Sequence, residues 1–177
     1  MNKKYLIVVK YIFSIFCMIG FLSSYGQKLY KIEKDQFGEP LLNNKAEYSF
    51  TEKPSEEDLK KIDTTAYYVQ IFEDQYHNEN EVKNPTIIIF HDDGYFRETS
   101  LLAFGKFDEH RGKNSVYYGG KYKIKNNNIQ LEQFGNSPDS KNWYTRYITK
   151  GKIENNKIIF NEGLVSVFEK RKNLSIK

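Results

Sequence analysis

The strongest constraint on the fold is a strand–turn–strand pattern that occurs twice in the second half of the chain. Residues 119–132 read GGKYKIKNNNIQLE, and residues 151–160 read GKIENNKIIF. In each copy, apolar and polar side chains alternate around an asparagine turn, as they do in strands with one buried face. Asparagine also tolerates the positive φ values that a tight turn requires. The repeated pattern therefore predicts an all-β protein built from antiparallel hairpins.

A third hairpin is predicted where a run of isoleucines is followed by Asp-Asp-Gly at residues 92–94. A three-residue loop with glycine in the left-handed position would pair His91 with Tyr95. In that register Phe90 faces Phe96 across the two strands, so both rings lie on the same side of the hairpin. We predict that this side belongs to the core.

The remaining strands are short and are joined locally, which is typical of a meander. A meander of eight to ten strands exposes its two edges unless it curls and closes. We therefore predict an antiparallel up-and-down meander that forms a lipocalin-like barrel over residues 65–170, followed by a tail at 171–177. The additional strands lie near residues 65–73, 143–153, 157–161 and 164–170.

The segment before the barrel, residues 27–64, is expected to be an N-terminal extension with one short helix near residues 55–62. Ser55 is a suitable N-cap, and acidic residues precede lysines, as the helix dipole favours. The helix has few apolar residues, so we predict a plug across one end of the sheet. A further short strand is expected at residues 47–50.

Residues 1–26 have the features of a signal peptide. Three lysines precede an apolar run at residues 11–22, and small residues stand at Ser24 and Gly26. This pattern predicts cleavage near Gly26 and export to the periplasm or the extracellular space. The alternative is a protein of the cell envelope that is anchored in the membrane by an uncleaved N-terminal segment. In either case, membrane contact is expected only through this leader.

Loss of the leader changes the charge and the cysteine content of the chain. It leaves 24 basic and 23 acidic residues, a formal net charge of +1, so no basic surface for nucleic acid is predicted. Cys17, the only cysteine, is also lost, and the mature domain must fold without disulfides. A domain of about 150 residues can bury enough apolar surface to do so.

Three segments share their pattern with a known group of proteins. They are Ile87-Ile88-Ile89-Phe90-His91-Asp92-Asp93-Gly94-Tyr95-Phe96, then Gly120-Lys121-Tyr122-Lys123-Ile124 with Ile129-Gln130-Leu131, and finally Val165-Ser166-Val167-Phe168-Glu169-Lys170. Together they resemble the small secreted lipocalin-like proteins of Bacteroidetes. The resemblance implies a β-barrel and brings no catalytic residues with it. The Gly-x-Trp signature of lipocalins is not found, and Ala66-Tyr67-Tyr68 stands where it would be expected.

Candidate metal ligands and nucleophiles have simpler explanations. His91, Asp92 and Asp93 are adjacent and suit a turn, while residues 108–110 and 74–81 lack the spacing of zinc or calcium sites. The sequence also has no Gly-x-Ser-x-Gly elbow and no phosphate-binding loop. We therefore predict no catalytic residues, no metal and no cofactor, and we expect that the protein is not an enzyme.

The surplus of aromatic residues, 16% of the chain, is the remaining functional signal. We predict that Tyr67, Tyr118, Trp143 and Tyr147 line a barrel cavity and bind a small apolar or amphipathic ligand. The alternative is that these rings simply fill the barrel, because an eight-stranded interior is about wide enough for side chains alone.

Two functions are therefore expected from the sequence. The first is an exported, non-catalytic binding module for such a ligand. The second is a cell-envelope interaction or structural protein that uses the barrel surface or the loop at residues 100–115, although no partner protein is identified. The apolar first half of that loop has a structural explanation too, in which Leu102 and Phe104 are tucked into the core.

Overall fold

The computed structural model describes residues 28–72, 78–104, 111–137, 142–163 and 165–174. Within these residues, nine strands form a single antiparallel sheet, accompanied by two short helices. The strands are β1 Leu29–Lys31, β2 Tyr67–Ile71, β3 Thr86–Phe90, β4 Tyr95–Ser100, β5 Gly119–Lys125, β6 Asn128–Asn136, β7 Trp143–Glu154, β8 Lys157–Phe160 and β9 Ser166–Arg171. The helices are α1 Glu56–Leu59 and α2 Glu79–Lys83.

Strands β2 to β9 form a closed eight-stranded barrel. Each strand pairs with the next one along the chain, and β9 returns to pair with β2, where Val69 lies opposite Glu169. This closure removes the edges that an open meander would expose. The predicted all-β up-and-down barrel is therefore confirmed. Strand β1 is additional and pairs with the first residues of β7, where Tyr30 lies opposite Tyr144.

The β3–β4 hairpin directs its aromatic side chains into the barrel. Phe90 lies opposite Phe96, both are fully buried, and the ring of Tyr122 lies 5.0 Å from that of Phe90. The predicted core side of this hairpin is confirmed. The interior cluster comprises Ile62, Tyr68, Ile88, Phe90, Phe96, Tyr122, Ile124, Ile129, Leu131, Ile153, Ile158, Phe160 and Phe168.

One end of the barrel, which we call the turn end, carries the tight connections at residues 91–94, 126–127 and 155–156. Asn126 and Asn155 have φ values of 57° and 55°, as the asparagine turns predict. Helix α1 lies before β2 at this end. The hydroxyl of Ser55 accepts a hydrogen bond from the N–H of Asp58, as expected for an N-cap. No residue of α1 is buried, but Ile62 beyond it packs into the interior cluster, so the predicted short helix and its plug are present.

The opposite end, the loop end, carries the longer connections between β2 and β3, β4 and β5, β6 and β7, and β8 and β9. The first of these contains α2, a helix that was not predicted from the sequence. Helix α2 has a capping box between Asn78 and Glu81 and buries no residue. It therefore depends on local capping, and the chain shows no apolar periodicity there that would predict it.

A second, smaller core covers the outer face of the barrel. The N-terminal segment crosses β6 and β7, and the cluster comprises Tyr30, Ile32, Ala46, Val116, Phe134 and Tyr144. The strand expected at residues 47–50 does not form. Instead, the N–H groups of Ser49 and Phe50 both donate to the carboxylate of Glu132 at 2.8 Å, which takes the place of strand pairing.

Candidate functional site

The interior is mostly apolar near the turn end and more polar near the loop end. On β4, Glu98 faces inward opposite Ile88 of β3, and the next inward position is Ser100. On β6 and β7, Gln133 and Tyr147 lie opposite each other on the inward face. Side chains alternate along a strand, so the inward positions of Phe96 and Leu131 place Glu98 and Gln133 inside the barrel as well. We call Glu98, Gln133 and Tyr147 the polar row.

A glycine allows the polar row to connect across a strand. The Nε2 of Gln133 on β6 donates a hydrogen bond of 2.7 Å to Oε2 of Glu98 on β4, although β5 lies between them. The residue opposite both Gln133 and Phe96 on β5 is Gly120, which has no side chain to separate them. A Cβ atom there would lie 2.0 Å from the carbonyl oxygen of Glu132 and 3.0 Å from Cε1 of Phe96. The hydrogen bond therefore depends on glycine at this position.

Burial perturbs two ionisable groups in the polar row. Burial raises the pKa of Glu98, and the hydrogen bond from Gln133 partly opposes this by favouring the charged form. Burial also raises the pKa of Tyr147, and the charge of Glu98 raises it further. The carboxyl of Glu98 and the phenol of Tyr147 are thus electrostatically coupled inside the barrel.

Solvent reaches the inward face at the loop end. Tyr147 is 40% exposed and Trp143 is 38% exposed, whereas Phe90 and Phe96 are fully buried. Trp143 and Tyr147 lie on the same face of β7, because they are separated by an even number of residues. The ring of Tyr147 lies over Gly135, where an added Cβ would be 3.0 Å from Cε1 of Tyr147. Glu98 and Gln133, together with the rings of Trp143 and Tyr147, form a surface of mixed polarity at the loop end.

The other two aromatic residues predicted from the sequence do not line the interior. Tyr67 lies on the outer face, because its neighbour Tyr68 is in the interior cluster. Its ring packs edge-on against Phe104 at 5.4 Å and 89°. Of the four predicted residues, Trp143 and Tyr147 therefore share the inward face of β7, and Tyr67 lies on the outer face of the barrel.

Tyr118 also belongs to the outer surface. Its Oη lies 2.8 Å from Nε2 of His91, which follows the inward-facing Phe90 and therefore points outward. Gly119, the next residue and the first of β5, has a φ of +144° and changes the direction of the chain there. Alternation alone would place Tyr118 with Tyr122 inside the barrel, but the glycine backbone redirects it.

The residues near His91 make hydrogen bonds and an ion pair within the protein. Asp93 accepts a hydrogen bond from the N–H of Tyr95 at 3.3 Å within the turn, and it also pairs with Lys113. Burial, followed by the charge of Lys113, lowers the pKa of His91. The described residues contain no group of three or more His, Cys, Asp or Glu side chains that could hold a metal ion. The candidates at residues 108–110 and 74–77 lie outside the described residues.

The described parts of the loop at residues 100–115 lie on the outer surface. Leu102 is 51% exposed, which corrects the alternative that it is tucked into the core, and Phe104 packs against the outward-facing Tyr67. Arg111 pairs with Glu39 at 2.9 Å, and Ser115 also donates to that carboxylate. These contacts fasten the loop to the N-terminal segment.

Sequence reasoning missed Glu98 and Gln133, although a signal for both was present. Phe96 is predicted on the core face, and Glu98 stands two residues later in the same strand. Gln133 stands two residues after Leu131 in the same way. Polar residues at inward positions near the end of a strand indicate either an open barrel end or a buried hydrogen bond.

Comparisons with protein-family models, with curated proteins and with solved structures found no match for this chain. The resemblance to lipocalin-like proteins therefore stays a prediction. The predicted leader at residues 1–26 lies outside the described residues. Within the described part of the chain, neither helix has the length and apolar character needed to cross a membrane.

Proposed function

We propose that this protein is an exported, non-catalytic binding module that holds a small amphipathic ligand at the loop end of its barrel. The observation that carries the proposal is the division of the interior. Its turn-end half is filled mostly by apolar side chains, and its loop-end half presents Glu98 and Gln133 beside the solvent-accessible rings of Trp143 and Tyr147.

The filled half limits the kind of ligand that the barrel can accept. Phe90, Phe96 and Tyr122 are fully buried, and the ring of Phe90 packs against the other two, so a long apolar chain cannot pass to the turn end without displacing them. A ligand at the loop end would place its apolar part on the rings of Trp143 and Tyr147. Its polar part would meet the carboxyl of Glu98 and the amide of Gln133.

The alternative role, a cell-envelope interaction or structural protein, receives less support. It would use the barrel surface or the loop at residues 100–115. However, the described end of that loop at residues 111–115 is fastened to the protein itself, because Arg111 pairs with Glu39 and Lys113 pairs with Asp93. A ligand-binding site at the loop end accounts for the inward orientation of the polar row. An interaction surface on the outside of the barrel would not require polar side chains that face inward.

Intrinsic fluorescence tests the proposed binding directly. Trp143 is the only tryptophan of the chain and lies at the proposed site. We expect its emission to change saturably when short amphiphiles are titrated below their micelle-forming concentrations. The substitution Tyr147→Ala should weaken this response, while Tyr67→Ala, on the outer face, should leave it unchanged. A flat titration, together with the absence of heat in calorimetry, would contradict the proposal.

Export is tested separately from binding. The proposed leader predicts that the mature protein begins near Gln27 and is released to the periplasm or the medium. N-terminal sequencing of the protein recovered from each cell fraction measures this. Recovery of an intact N-terminus in the membrane fraction would favour the uncleaved anchor instead.

A further inference from the structure

We propose that the polar group of the bound ligand is a cation, specifically a protonated amine that pairs with the carboxylate of Glu98. This inference rests on the proposed function and names the class of ligand that the same site would take. It follows from the distribution of charge inside the barrel.

Two of the described strand residues that face inward have ionisable acidic or basic side chains, Glu98 and Lys170. Lys170 lies opposite Tyr68 at the turn end, and its Nζ is 3.8 Å from Oδ2 of Asp63. Glu98 lies on the loop-end side of the filled cluster, opposite Ile88. Among the described strand residues, the inward face at the loop end therefore carries the carboxyl group of Glu98 and no cationic side chain.

The contacts of Glu98 favour a cationic ligand over an anionic one. Gln133 donates to Oε2, which orients the carboxylate but does not neutralise it, and leaves Oε1 as the second acceptor. An ionised carboxylate that is removed from water is costly, and a cation beside it offsets this cost. A ligand carboxylate would instead be repelled by Glu98.

The aromatic rings favour the same class of ligand. Ammonium groups are attracted to the faces of tryptophan and tyrosine rings. Trp143 and Tyr147 present such rings on the inward face of β7, and both rings are accessible to solvent. Glu98 and Gln133 also face inward, from β4 and β6. The apolar tail of an alkylamine would pack on the remaining ring surface.

The test compares three ligands with the same octyl chain at neutral pH: octylamine, octanoate and octanol. Calorimetry and Trp143 emission measure their binding to the full mature chain. We expect octylamine to bind more tightly than octanoate and octanol by about tenfold or more, which corresponds to about 1.4 kcal/mol. In the variant Glu98→Gln, we expect octylamine to lose about this factor while octanol is unchanged.

A matched control is Glu154→Gln, an exposed glutamate on β7, which should bind all three ligands as the unmodified chain does. If the three ligands bind equally well, the inference is overturned and the proposed function stands. If none of them binds, both are overturned. The comparison of octylamine with octanoate needs no variant, so it remains decisive if Glu98→Gln does not fold.

Discussion

Phe50 donates its backbone N–H to Oε2 of Glu132 across 2.8 Å, although the two residues are 82 positions apart in the sequence. The N–H of Ser49 donates to the other carboxylate oxygen, and Nε of Arg146 lies 3.3 Å from it. Glu132 is fully buried between the barrel wall and the N-terminal segment. One carboxylate therefore holds that segment against the barrel.

Replacing this carboxylate should destabilise the protein. We expect Glu132→Ala to lower the free energy of unfolding by about 3 kcal/mol, because the buried N–H of Phe50 and the partly buried N–H of Ser49 both lose their acceptor. Urea denaturation followed by circular dichroism measures the change. The exposed Glu162→Ala is the matched control and should stay within about 0.5 kcal/mol. Equal effects of the two substitutions would contradict the assigned role of Glu132.

The aromatic contact in the β3–β4 hairpin predicts a large packing effect. We expect Phe90→Ala to cost about 3–5 kcal/mol, because it removes a fully buried ring and leaves a cavity beside Phe96 and Tyr122. Phe37 is 84% exposed and provides a control with the same chemical change. Thermal unfolding should separate the two variants clearly. A Phe90→Ala protein as stable as Phe37→Ala would mean that the interior is not packed as described.

The backbone at Gly119 should not tolerate a side chain. Its φ is +144°, and a Cβ would lie 2.4 Å from the carbonyl oxygen of Phe96 and 2.9 Å from the nitrogen of Glu98. These are main-chain atoms, so Gly119→Ala should cost about 3 kcal/mol through strain and displacement of β4.

The control for Gly119 is Gly163→Ala. Gly163 also has a positive φ, +81°, but no heavy atom lies within 4 Å of the position that a Cβ would take there. The substitution should therefore cost only about 1 kcal/mol, the conformational penalty alone. Chemical denaturation of the two variants measures the difference, and similar losses would show that close approach at Gly119 is unimportant.

The stability of the protein should depend on pH through Glu98. Burial raises the pKa of this carboxyl above its ordinary value of 4.5, so the folded state binds more protons than the unfolded state over the interval between the two values. The free energy of unfolding therefore falls as the pH rises through that interval. The substitution Glu98→Gln mimics the protonated carboxyl and therefore removes this loss of stability at higher pH.

We expect the melting temperature of Glu98→Gln to be close to that of the unmodified protein at pH 4 and to exceed it increasingly toward neutral pH. Melting curves from pH 4 to pH 8 measure this, with the exposed Glu154→Gln as the control. A variant that becomes relatively less stable as the pH rises would show that Glu98 is stabilised in its charged form.

Much of the barrel wall follows from local sequence. The asparagine turns, the pairing of Phe90 with Phe96, the N-cap at Ser55 and the shared face of Trp143 and Tyr147 could all be predicted. Each depends on the period-two alternation of a strand or on the conformational preferences of a few neighbouring residues. The expected strand at residues 47–50 does not form, because its N–H groups are satisfied by a glutamate from a distant strand.

The candidate site could be predicted only in part, because some of its features depend on glycine backbone geometry and on contacts between strands. The alternation that places Tyr68 inside the barrel also places Tyr67 outside, so the outward position of Tyr67 could have been predicted from the sequence. The outward path of Tyr118 depends on the backbone at Gly119, and the hydrogen bond between Gln133 and Glu98 depends on the gap at Gly120.

Most of the strands, their turns and the side chains that share a face could be predicted from local sequence, because bonded neighbours and local periodicity set them. The closure of β9 onto β2, the contact of Glu132 with the N-terminal segment and the contact of Glu98 with Gln133 across β5 are seen only in the folded protein. These contacts join residues that are far apart along the chain. They are selected by the packing of the whole barrel, which no local pattern encodes.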